Sequence, residues 1–185
     1  MTNSRTTTSG QGHRRYPREI AASVTLGAAA RALARPSGGP LVSGECVAIT
    51  TACTALRTRL ALVADVGRPV GAASDVQLVT WVLPDALTGA GTAPSAMVLR
   101  TAGDRCVAAW QRWATSGGRA ADDPGGVAGA LAVAAWCSWG TRRCPEALTR
   151  ASYALDIDPT DPLALLVQRW CRLGRRPAWT AVEPD

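Results

Sequence analysis

Three times between residues 124 and 174 the sequence writes a helix start and then a helix stop, and this punctuation constrains the fold more than any other feature. Asp122-Asp123-Pro124-Gly125-Gly126 is the clearest linker in the chain. After it, Val127, Leu131, Ala134 and Ser138 mark one helix face, Trp136 and Trp139 lie near the end, and Gly140 is the expected stop. Pro145 opens a second helix at a position where a missing N–H costs nothing, and Glu146 beside it complements the positive helix end. The apolar positions Ala147, Leu148, Ala151, Ala154 and Leu155 then recur in steps of three and four, which gathers them on one side. Asp161-Pro162 is a cap followed by a first-turn proline, and Leu163, Leu166, Val167, Trp170 and Leu173 complete a third helix that Gly174 stops.

Upstream the signals are weaker. Residues 1–15 are rich in Thr, Ser, Gly and Arg and read as a disordered tail. Pro17 is expected to open a helix that runs to about Ala34, where Pro36-Ser37-Gly38-Gly39-Pro40 ends it. Cys46, Ile49, Cys53, Leu56, Leu60 and Val63 fall on one stripe of a second helix, with Arg57 and Arg59 off it as a solvated flank and Gly67 and Pro69 closing it. Ser74 and Gln77 have capping-box spacing and predict a short helix through Val79 and Trp81 to Pro84. After a Gly/Thr/Pro loop at 88–94, a fourth helix spans about 95–115, with Met97, Val98, Val107, Trp110 and Trp113 as apolar candidates and Gly103 as a kink or break. The expectation is an all-α fold of about seven helices: a tail at 1–15, an N-terminal helical region at 16–120, and a C-terminal unit at 124–180 made of a repeat-like hairpin and a closing helix.

Composition narrows the chemistry. All 20 basic residues are Arg, and Lys and Phe are absent, the bias that a GC-rich coding sequence produces; the net charge of +6 therefore has a mutational as well as a functional reading. Six cysteines at 46, 53, 106, 137, 144 and 171 form no C-x-x-C pair, and the one His is His13, so neither a metal site nor any cofactor is expected. Without a secretory signal the thiols read as small buried apolar groups, and a cytoplasmic location is expected. No apolar run reaches the ~18–20 residues of a membrane span, so no membrane partner is expected. Asp156, Asp158 and Asp161 flank the prolines of a tight turn and read as turn and cap residues, not as a calcium loop. None of the Gly-rich segments ends in the Lys-Ser/Thr of a phosphate loop.

Two resemblances follow from quoted residues. Pro145-Glu146-Ala147-Leu148 through Ala154-Leu155-Asp156-Ile157-Asp158-Pro159 resembles the second half of one tetratricopeptide repeat, with Ala147, Ala154 and Pro159 at its small and closing positions. Leu131, Ala134 and Ser138 stand where that repeat carries larger or aromatic side chains, and a single copy is present. Ala130 to Gly140, Ala147 to Pro159, and Leu163 to Gly174 with Pro177 and Trp179 resemble the C-terminal end of the uncharacterised domain-of-unknown-function family 4192 of GC-rich bacteria. That resemblance implies a helical fold and no particular chemistry.

The sequence points to a non-enzymatic helical interaction module whose C-terminal unit holds a protein segment in a groove. The candidate surface is Trp136, Trp139 and Trp170 with Arg142, Arg143, Arg172, Arg175 and Arg176. Interleaved aromatic and Arg groups also suit single-stranded nucleic acid, which requires the five arginines on one face; the competing reading is that the indoles fill a core otherwise made of Ala. A hydrolase or transferase requires a pocket where Asp, Cys and Arg converge. No residue suggests an oligomeric state.

Overall fold

A computed structural model describes residues 12–35, 39–69, 71, 76, 83–117 and 123–181. Among the described residues the protein is all-α, with eight helices, one 3₁₀ turn and no strand. The expected short helix through Val79 and Trp81, and its Ser74–Gln77 cap, lie outside the described residues.

The C-terminal punctuation folds as written. Helices at Pro124–Gly140, Cys144–Ile157 and Pro162–Arg172 succeed one another, each with proline in its first turn. The 122–126 linker is in part the start of the first of these: Asp123 Oδ1 accepts the N–H of Gly125 at 3.0 Å, and the helix begins at Pro124. In this region the sequence marked one face, but Gly126–Gly140 is buried on every side. A helix this poor in polar side chains has no face to give to water and becomes the axle of the fold.

Numbered from the N-terminus, the helices are α1 (Gly12–Ala34), α2 (Ser43–Ala52), α3 (Leu56–Val66), α4 (Asp85–Thr88), α5 (Ala96–Thr115), α6 (Pro124–Gly140), α7 (Cys144–Ile157) and α8 (Pro162–Arg172). α2, α3, α5, α7 and α8 all pack on α6, and one apolar cluster runs from Leu26 on α1 to Trp179 beyond α8.

Three upstream expectations are corrected. α1 begins at Gly12, so residues 12–15 are helical and Pro17 lies inside the helix; a proline forfeits one backbone hydrogen bond and does not forbid the turn ahead of it. The expected second helix is two, α2 and α3, bent by 114° at Cys53–Ala55. Neither Gly nor Pro marks this corner. Thr54 Oγ1 donates to Thr51 O (2.8 Å), and Thr58 Oγ1 donates to Ala55 O (2.8 Å) and to Ala52 O, so threonine hydroxyls satisfy carbonyls left open by the break. α5, in contrast, runs unbroken through Gly103. A Cβ there would stand 3.1 Å from Cys137 Cβ and 2.6 Å from Arg150 Nη1, so this glycine serves close packing. The buried face of α5 is Leu99, Ala102, Gly103, Arg105, Cys106 and Ala109, while Met97 and Val98 are exposed.

The corner also overturns the solvated reading of Arg59. Rotating α3 away from the α2 stripe turns Arg59 inward, where it pairs with the fully buried Asp161 at the head of α8. Asp161 Oδ1 accepts the N–H groups of Leu163 (3.0 Å) and Ala164 (2.9 Å), and its Oδ2 accepts Arg59. One carboxylate thus caps a helix and neutralises a cation from another. Arg59 fits because Gly129 of α6 has no side chain: a Cβ there would stand 2.9 Å from Arg59 Cδ.

Candidate functional site

The tryptophans of the candidate surface are interior. Trp136 is 0%, Trp139 2% and Trp170 7% exposed, which removes their faces from any partner. With Trp179 they form a chain of ring contacts: centroids lie 4.5 Å apart for Trp139–Trp170, 6.5 Å for Trp139–Trp179 and 6.3 Å, edge to face, for Trp136–Trp179. Each of three indole N–H groups also finds a carbonyl, as a buried indole must: Trp136 to Leu87 (3.1 Å), Trp139 to Arg175 (2.9 Å) and Trp179 to Gly140 (3.3 Å). The core reading of these residues holds, because small-residue helices leave gaps that only large side chains fill.

The arginines behave differently. Arg143 is committed locally, 2.6 Å from Glu146, which Arg150 also contacts at 2.6 Å on its way to Asp104 (2.7 Å). Arg142, Arg172, Arg175 and Arg176 are exposed, and among the described residues no salt bridge engages them. Of the five arginines named from sequence, Arg142, Arg175 and Arg176 line one hollow of about 330 Å³, together with Trp139, Cys144, Cys171, Gly174 and Pro177.

Two identical helix endings build this hollow. At the end of α8, Gly174 has φ +64°, its N–H bonds Cys171 O (3.1 Å), and the Arg175 N–H bonds Trp170 O (2.9 Å). At the end of α6, Arg142 has φ +64°, its N–H bonds Trp139 O (2.9 Å), and the Arg143 N–H bonds Ser138 O (2.9 Å). Both are left-handed helix stops of the same hydrogen-bond pattern. The expected stop, Gly140, is still helical; a Cβ on it would stand 3.1 Å from Leu99 Cδ1, so it gives room for packing. The left-handed position falls to Arg142, the one described non-glycine residue with positive φ. Sequence reasoning could not find this, since nothing about Thr141-Arg142-Arg143 announces a left-handed residue.

No family model, curated protein or solved structure matches this chain. The site must therefore be read from its own chemistry. Among the described residues no carboxylate lines the hollow, so they do not supply there the convergence of Asp, Cys and Arg that hydrolase or transferase chemistry requires. Among the described residues no group of three or more His, Cys, Asp or Glu side chains is placed to hold a metal ion. Asp158 Oδ1 accepts the N–H (3.0 Å) and hydroxyl (2.8 Å) of Thr160, a turn role, and Asp161 is spent on its cap and Arg59. A larger groove of about 560 Å³ lies between α1 and the α2–α3 corner, where Ile20, Val24 and Leu56 are exposed; Arg18 on its rim is paired with Asp123 at 3.0 Å. Among the described residues no single helix is long and apolar enough to cross a membrane.

Proposed function

We propose that this protein is a non-enzymatic helical interaction module that holds an acidic segment of a protein partner in the hollow lined by Arg142, Arg175 and Arg176. The observation that carries the reading is Arg142 itself. A left-handed backbone costs an L-residue roughly 1 kcal/mol or more, and glycine fills the equivalent place at the end of α8. Keeping arginine there sacrifices stability to set a guanidinium at the mouth of the hollow, a pattern typical of functional positions. Three exposed guanidiniums that no salt bridge engages among the described residues offer bidentate sites to Asp or Glu side chains.

The same charge would attract nucleic acid, and that is the second reading. Single-stranded nucleic acid draws much of its affinity from bases stacked on aromatic faces. Trp139 and Trp170 are buried against each other, which favours a carboxylate-bearing partner over one that needs stacking. Kinship with domain-of-unknown-function family 4192 is a further proposal, supported by the residues at 130–140, 147–159 and 163–179.

A labelled Asp/Glu-rich peptide titrated against the intact protein, beside a single-stranded oligonucleotide of equal length and charge, tests the reading. The peptide is expected to bind more tightly, and replacing Arg142, Arg175 and Arg176 by Ala should weaken it roughly tenfold or more, about 1.4 kcal/mol. Tighter binding of the oligonucleotide would favour the second reading, and a peptide affinity indifferent to the three substitutions would refute the first.

A further inference from the structure

The same hollow holds two sulfurs. Cys144 opens α7 and Cys171 lies in the last turn of α8; both are half-buried and both line the hollow. The two helices pack directly on each other, and the Cys171 and Cys144 thiols face the same hollow close enough to influence one another. The remaining four cysteines are buried, with Cys53, Cys106 and Cys137 grouped in the core out of reach of a solute.

We propose that Cys144 and Cys171 form a redox-active dithiol that peroxide closes to an intramolecular disulfide, tying the first turn of α7 to the last turn of α8 at the wall of the hollow. The Cys144 sulfur attacks one peroxide oxygen and breaks the O–O bond, giving a sulfenic acid and one water. The Cys171 sulfur then attacks that sulfur and expels its hydroxyl as a second water. In sum two thiols and one hydrogen peroxide become one disulfide and two waters, both sulfurs being oxidised and both peroxide oxygens reduced.

Burial and the neighbouring Cys144 thiol push the Cys171 thiol up to about 12, so the closing step must remove a tightly held proton. Closure therefore accelerates as the solution is made more alkaline. It needs no acidic segment in the hollow, so it stands or falls apart from the binding reading.

The intact protein treated with hydrogen peroxide and digested without reductant should yield one cross-linked peptide joining Cys144 to Cys171, lighter by two hydrogens and restored by dithiothreitol. Cys144→Ser and Cys171→Ser should each abolish the link, while Cys46→Ser keeps it. Separate sulfinic acids on the two cysteines, covalent dimers in place of the internal link, a link among core cysteines, or no link at all would overturn the proposal.

Discussion

At Arg142 two demands conflict under the proposed function: the helix stop asks for glycine and the proposed hollow for a cation. Because the residue is exposed and its backbone is left-handed, Arg142→Gly should raise stability by about 0.5–1 kcal/mol, the gain being trimmed by glycine's freedom in the unfolded chain. The same substitution should weaken acidic-peptide binding. Urea melts and a peptide titration read the two effects separately; a variant both less stable and equally good at binding would contradict this account. The core thiols give a second prediction. Burial pushes Cys53 and Cys137 up from 9.0 to about 12 and also holds Cys106 well above its ordinary value. These groups stay protonated when folded and ionise when unfolded once pH exceeds about 9, so unfolding releases protons and stability falls as pH rises from there toward 12. The slope is about 1.4 kcal/mol per pH unit for each thiol. Denaturation midpoints measured across that window should decline, and Cys53→Ala should make the decline shallower. At this scale the reading of the thiols as small buried groups holds for Cys46, Cys53, Cys106 and Cys137 but not for the half-buried Cys144 and Cys171, and the sequence was silent on Arg142, whose conformation is imposed by its neighbours.

Among the helices, legibility followed capping chemistry. Asp161-Pro162 could be read because a cap and a first-turn proline act locally, whatever surrounds them. The α2–α3 corner could not, because its signal is a scatter of threonines whose hydroxyls matter only once the chain has bent. Extrapolating one stripe across that corner placed Arg59 in solvent, whereas it ends on Asp161, a residue far away in sequence. This pair ties α3 to α8 in a setting that water does not screen. Asp161→Asn keeps a cap oxygen yet leaves the Arg59 charge buried without its counter-ion, and should cost about 3 kcal/mol by chemical denaturation. Adding Arg59→Met should recover a large part of that loss. A double variant as unstable as the sum of the two single ones would mean that the two side chains are uncoupled.

Across the whole molecule, the same composition sets both the interior and the surface. Helices lined with Ala and Gly approach α6 closely from several sides, and four tryptophans close the space left where α6, α8 and the following turn meet. With the indoles committed there, the arginines at the helix ends are what remains exposed of the surface expected from sequence. The surface expected from sequence mixed buried Trp with exposed Arg in one set, since helical spacing cannot say which Trp faces inward when nearly every position of α6 is apolar. Hydrogen exchange of the intact protein with and without a saturating Asp/Glu-rich peptide locates the binding surface directly. Slowed exchange confined to residues 140–144 and 171–176 is the predicted result; slowed exchange at 18–24 and 54–58 instead, along the apolar groove of α1, would contradict it.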